Sequence, residues 1–140
     1  MAKTFGDKEM NYVGRGIERV LARAREDAEV VAVFLFGSQA RGESTLASDT
    51  DICLALRPGH YDALTLFQKK LSYLKETNAD VHIFSQLPLH IRRRVLKEGR
   101  ILLCCDEDAL YDIAFETAQA FEDFKHIYYG YLEKVAHAGS

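Results

Sequence analysis

The sequence predicts an α/β (α+β) fold: a small mixed sheet packed with helices and followed by a long C-terminal helix. Two observations carry that expectation. Short runs rich in β-branched residues alternate along the chain with segments whose apolar residues recur at helical spacing. One run, "VVAVFLF" (residues 30–36), is apolar throughout, as a strand covered on both faces has to be. With 140 residues, 48% hydrophobic and 28% charged, the chain suits one domain over 1–140 that buries a core without disulfides or metals as staples.

The elements follow in order. Val13, Ile17, Val20, Leu21 and Ala24 mark a first helix over about 11–28, with arginines on its other faces. The apolar strand comes next and Gly37 ends it. "DTDICLAL" (49–56) alternates, placing Thr50, Ile52, Leu54 and Leu56 on one face and Asp49, Asp51, Cys53 and Ala55 on the other. "RPGH" is a turn. A second helix is expected to bury a stripe of Tyr61, Leu64, Phe67, Leu71 and Leu74. "ADVHIF" reads as a third strand, with Asp80, His82 and Phe84 opposite Val81 and Ile83. Pro88 opens a short helix to Glu98, Gly99 closes it, and "RILLCC" is the fourth strand. "DEDAL" starts the last helix, about 106–135, its acidic residues matched to the helix dipole.

Composition excludes several classes. No apolar run approaches the roughly 20 residues that cross a bilayer, so no membrane role is expected. The start, "MAKTFGDKEM", lacks the apolar core of a signal peptide, which predicts a cytoplasmic protein. Three cysteines, two of them adjacent, give neither zinc spacing nor a disulfide framework. A net charge of −3 supplies no long-range pull toward nucleic acid, which is not expected as a direct ligand.

The chemistry concentrates in 37–51 and at Asp80. Asp49 and Asp51 stand two apart on a strand, so their carboxylates project side by side. Such a pair repels itself unless a cation lies between, and magnesium, a hard oxygen-seeking ion that keeps substrate phosphates in its shell, suits it. Asp80 adds a third carboxylate if its strand neighbours theirs, enough to hold two metals. Gly37 lets the backbone approach a ligand closely, and the turn into "SQARG" aims backbone N–H groups and the Ser38 hydroxyl at phosphate oxygens, with Arg41 as a cationic contact. One element grips a polyphosphate and the other grips metals, which is why a short spacer joins them.

Gly37-Ser38, ten residues, then Asp49-x-Asp51 resembles the GSx10DxD signature of the DNA polymerase β-type nucleotidyltransferase superfamily. With "GSQARG" and Asp80 on the following strand, the chain is similar to the minimal nucleotidyltransferases over its catalytic core, about 11–105. The resemblance implies the polymerase β-type nucleotidyltransferase fold and magnesium-dependent transfer of AMP from ATP with release of pyrophosphate. It makes Asp49, Asp51 and Asp80 metal-binding and catalytic, with Asp80 also activating the acceptor hydroxyl, and Gly37 and Ser38 the phosphate grip. Many such proteins pair with a HEPN-domain toxin and, as MntA-type antitoxins, neutralise it by adding AMP to a tyrosine, which makes a HEPN protein the expected partner. The alternatives are transfer to a small-molecule acceptor, for which this chain has no extra acceptor domain, and a non-catalytic antitoxin acting by steric binding.

Other features take plainer readings. His82 shares the face of Asp80, but a lone strand histidine is more often a packed residue and stays outside the catalytic set. Arg92, Arg93, Arg94, Lys97 and Arg100 read as a solvated basic face. Phe115, Phe121, Phe124, Tyr128, Tyr129 and Tyr131 are too many for one buried helical stripe, which points to a partner-docking surface.

Overall fold

The computed structural model describes residues 3–4, 14–37 and 51–138. The element order is β1 (Lys3–Thr4), α1 (Gly14–Glu26), β2 (Val30–Phe36), β3 (Asp51–Leu56), α2 (Ala63–Leu74), β4 (Asp80–Ile83), a 3-10 turn (Phe84–Gln86), α3 (Leu89–Glu98), β5 (Arg100–Cys104) and α4 (Glu107–Ala138). The strands form one sheet in the order β1-β5-β2-β3-β4. Among the described strands β3 and β4 are parallel, and β1–β5, β5–β2 and β2–β3 are antiparallel.

The mixed sheet is the one the sequence predicts, with three differences in its parts. A two-residue strand, β1, pairs with β5 at Lys3↔Cys104 and Thr4↔Leu103; a strand this short leaves no periodic signal. Phe84 leaves the third strand for the 3-10 turn, where its N-terminal carbonyl accepts from Leu87 N–H. The last helix runs on to Ala138.

Alternation along β3 sends side chains into two cores, one on each face of the sheet. Ile52, Leu54 and Leu56 join Ile17, Val20, Leu21 and Tyr73 in the first, under α1 and α2. Cys53 and Ala55 join Phe34, Phe84 and Val95 in the second, with Ala109, Leu110 and Ile113 of α4 packed against them. Burial pushes the Cys53 thiol far above its ordinary range, so it behaves as a small apolar side chain.

The second helix corrects the expected stripe. Tyr61 and Leu74 pack against the first core, but Leu64, Phe67 and Leu71 are exposed and the residues buried are Leu66 and Tyr73. Tyr73 is fully buried and its hydroxyl donates to Asp27 Oδ2 at 2.9 Å. Lys69 adds ion pairs to Asp27 at 2.8 Å and Glu29 at 2.7 Å. Asp62 caps the helix start by accepting Thr65 N–H at 2.7 Å.

The basic residues of α3 are partly engaged. Arg93 lies over the Phe121 ring at 4.4 Å and Arg94 pairs with Glu98 at 3.1 Å, while Arg92 is half-buried. Asp106 starts α4 by accepting Ala109 N–H and pairs with Arg57 at 2.7 Å. Beyond Phe121 the helix leaves the body. From Glu122 to Ala136 every residue except Gly130 is exposed, a projection of about 22 Å. Among the described residues no helix is long and apolar enough to cross a membrane.

Candidate active site

Strand directions bring the site together. Because β2 is antiparallel to β3 and β3 is parallel to β4, the C-terminal end of β2 and the N-terminal ends of β3 and β4 share one end of the sheet. Phe36 lies opposite Asp51, and Asp51 lies opposite Asp80. Gly37, next to Phe36, has φ +88°, in the region that favours glycine, so the chain leaves the sheet at that end through a turn other residues adopt only under strain.

Paired residues of neighbouring strands project to one face, so Asp51 and Asp80 point the same way. His82, two residues along β4, shares that face. One ligand atom from each of Asp51, Asp80 and His82 lies within 4.8 Å of the others. His82 Nε2 is 3.0 Å from Asp51 Oδ1, and its ring meets Phe36 edge-on, with centroids 5.5 Å apart. The Asp51 and His82 side chains are 23% and 30% exposed, and Asp80 is exposed, so a solute reaches all three.

Two carboxylates set side by side attract a cation. Among the described residues the basic group paired with Asp51 is His82. Oxygen donors at a strand end, open to solvent, fit a hard divalent ion that keeps waters and phosphate oxygens in its shell.

Of the residues singled out in the sequence, Gly37, Asp51 and Asp80 come to this one end of the sheet. Ser38, Arg41 and Asp49 lie outside the described residues. His82 is the residue that sequence reasoning set aside. Its place on the face of Asp80 is legible in the sequence, but its contact with Asp51 depends on the β3–β4 register.

Comparison with known proteins agrees with this fold. Residues 18–108, well over half of the chain, match the family described as "Polymerase beta, Nucleotidyltransferase". A protein of Methanocaldococcus jannaschii, provisionally named a protein adenylyltransferase, is 31% identical over 77 residues, 54% of this chain and 57% of that relative. The match therefore spans little more than half of the relative's length. Among solved structures, a chain of a toxin–antitoxin crystal structure with AMP-PNP has a TM-score of 0.61 at 18% identity, covering 84% of this chain and 97% of that one. A chain of the MntA–HepT toxin–antitoxin has a TM-score of 0.60 at 15% identity, covering 86% and 96%. A third, from the tri-AMPylated Shewanella oneidensis HEPN toxin in complex with MNT antitoxin, has a TM-score of 0.54 at 16% identity, covering 85% and 92%. At these identities the structural likeness is one of fold.

Proposed function

The chain belongs to the polymerase beta nucleotidyltransferase family, and from that premise we propose that it transfers AMP from ATP to a protein hydroxyl, with a tyrosine of a HEPN-family toxin as acceptor. The observation that carries the reading is the in-register pair Asp51↔Asp80 at the end of the sheet where Gly37 turns the chain away. The neighbours described as toxin–antitoxin complexes support the choice of partner.

Each group has its part. Asp51 and Asp80, with Asp49, would hold magnesium, two ions in the full site, which would supply positive charge against the triphosphate as negative charge shifts during transfer. Gly37 allows the backbone to come close to the phosphates, and Ser38 and Arg41 bind their oxygens. Asp80, exposed at the site's mouth, accepts the proton of the acceptor hydroxyl. That oxygen forms a bond to the α-phosphorus, the bond from the α-phosphorus to the bridging oxygen breaks, and pyrophosphate leaves with the electron pair. The acceptor arrives on another molecule, and the exposed aromatics of α4 offer it a docking surface.

Incubating the chain with a HEPN-family protein from the same organism, ATP and magnesium tests the reading by mass spectrometry. The partner is expected to gain one or more adenylyl units, and Asp49→Ala to abolish the gain. A partner that stays unmodified yet is inhibited would replace the reading with steric neutralisation.

A further inference from the structure

His82 has no part in the transfer just described, yet the fold holds it in the site. Its ring comes from β4 at the position opposite Cys53. One side of the imidazole meets Phe36, which itself lies opposite Asp51 on β2. Nε2 reaches Oδ1 of Asp51 at 3.0 Å. An ionised carboxylate only accepts, so Nε2 is the protonated nitrogen, and it carries its hydrogen in the neutral Nε2–H tautomer and in the imidazolium alike. The contact therefore does not depend on the charge of the ring.

We propose that His82 is a positioning residue for the metal centre: by donating from Nε2 to Oδ1 it fixes which oxygen of Asp51, and in which direction, is presented to a divalent cation. The proposal rests on reading Asp51 and Asp80 as metal ligands. A free carboxylate turns about χ1 and χ2 and alternates between one-oxygen and two-oxygen binding. A donor on one oxygen removes that freedom and leaves the other for the ion. Magnesium demands near-octahedral geometry, so a fixed ligand direction matters more to it than to a tolerant ion such as calcium. Hydrogen bonds to ligating groups commonly carry 10–100-fold in metal affinity. Phe36 completes the device, because the ring that orients the carboxylate is itself held by packing.

Manganese(II) is the probe, titrated into the full-length protein without nucleotide, with free ion counted by electron paramagnetic resonance. His82→Phe keeps an aromatic ring against Phe36 but has no donor, and is expected to weaken manganese binding about 10–100-fold. His82→Gln restores an N–H donor and should recover most of that loss, which a packing role alone would not allow. Equal affinity in wild type and His82→Phe overturns the proposal. Pulsed resonance on the wild type keeps the test valid even if a variant misfolds: coupling from a directly bonded nitrogen would make His82 a ligand and overturn it, whereas a weak remote coupling supports it. The readout is separate from AMP transfer. A wild type that binds manganese through this contact but modifies no partner refutes the proposed function alone.

Discussion

Asp51 carries two contacts of opposite purpose, one to a neutral or cationic donor of its own chain and one expected to a metal. That division sets a ranking among residues. Asp51→Ala removes both a ligand and the partner of His82, and is expected to lower single-turnover transfer by about 10³-fold or more, since charge stabilisation by the site is lost. Ser38→Ala is expected to cost no more than one hydroxyl–phosphate hydrogen bond, about 1.5–3 kcal/mol, or roughly 10- to 150-fold. The reverse order in rapid-quench assays would mean that the phosphate grip and the metal grip have been assigned the wrong way round. Much of this was legible beforehand. An aspartate that opens a strand after a glycine-ended apolar run belongs at the end of the sheet where the structure has Asp51, and a glycine after an apolar run marks a turn, which here has positive φ. What the sequence left conditional was whether the strand of Asp80 neighbours that of Asp51, and the parallel β3–β4 register meets the condition. His82 escaped because its contact depends on that same register. In the sequence it lies 31 residues from Asp51.

Among the elements, α2 shows how two helical stripes of equal period compete. Leu64, Phe67 and Leu71 fit the spacing of a buried face as well as Leu66 and Tyr73 do, and periodicity alone cannot choose. The face that is buried carries Tyr73 into the core and onto Asp27, 46 residues earlier, contacts that no local pattern reveals. Burial by itself would raise the Asp27 carboxyl, but Lys69, the Glu29 N–H and the Tyr73 hydroxyl together hold it below the usual carboxylate range. A depressed folded value means that the unfolded chain takes up the proton first as pH falls. The stability that Asp27 contributes is therefore complete above the ordinary carboxylate range, about pH 4, and is lost as pH drops through its lowered value. Urea unfolding at a series of pH values below 5 should show a shallower acid loss in Asp27→Asn than in the wild type; parallel curves would assign the acid sensitivity elsewhere. Tyr73→Phe removes one of the three bonds without opening a cavity in the core, and should cost about 0.5–1.5 kcal/mol in neutral urea unfolding. A larger loss would show that the hydroxyl, rather than the ring, sets the rotation of α2.

For the molecule as a whole, the question is why a chain with two well-filled cores extends a bare helix. Phe121, Phe124, Tyr128, Tyr131 and Val135 follow one another at alternating spacings of three and four residues, the repeat of a seam that packs against another helix. Phe121 has Arg93 of α3 over its ring, whereas Phe124, Tyr128, Tyr131 and Val135 are exposed, with Phe124 and Tyr128 stacked on each other at 6.1 Å. Gly130 sits among them, and a Cβ built there meets nothing within 4 Å. Glycine inside a helix costs roughly 0.5–1 kcal/mol relative to alanine, so Gly130→Ala should stabilise the isolated chain by about that amount in thermal unfolding. If a partner backbone comes close at this point, the same variant should bind the partner less well. The decisive variant is Tyr128→Ser/Tyr131→Ser. Both side chains are exposed on the projecting part of α4, so unfolding midpoint, ATP binding and manganese binding are expected to stay close to wild-type values. Buried anchors of an interface each contribute about 2 kcal/mol or more, so partner affinity should fall at least about 30-fold. Transfer should then fail at low partner concentration and return toward the wild-type rate when the partner is raised, because the carboxylates proposed for the chemistry, Asp51 and Asp80, stand at the end of the sheet and are untouched. Wild-type transfer at limiting partner concentration would remove α4 from the interface and leave its aromatic seam without a docking role.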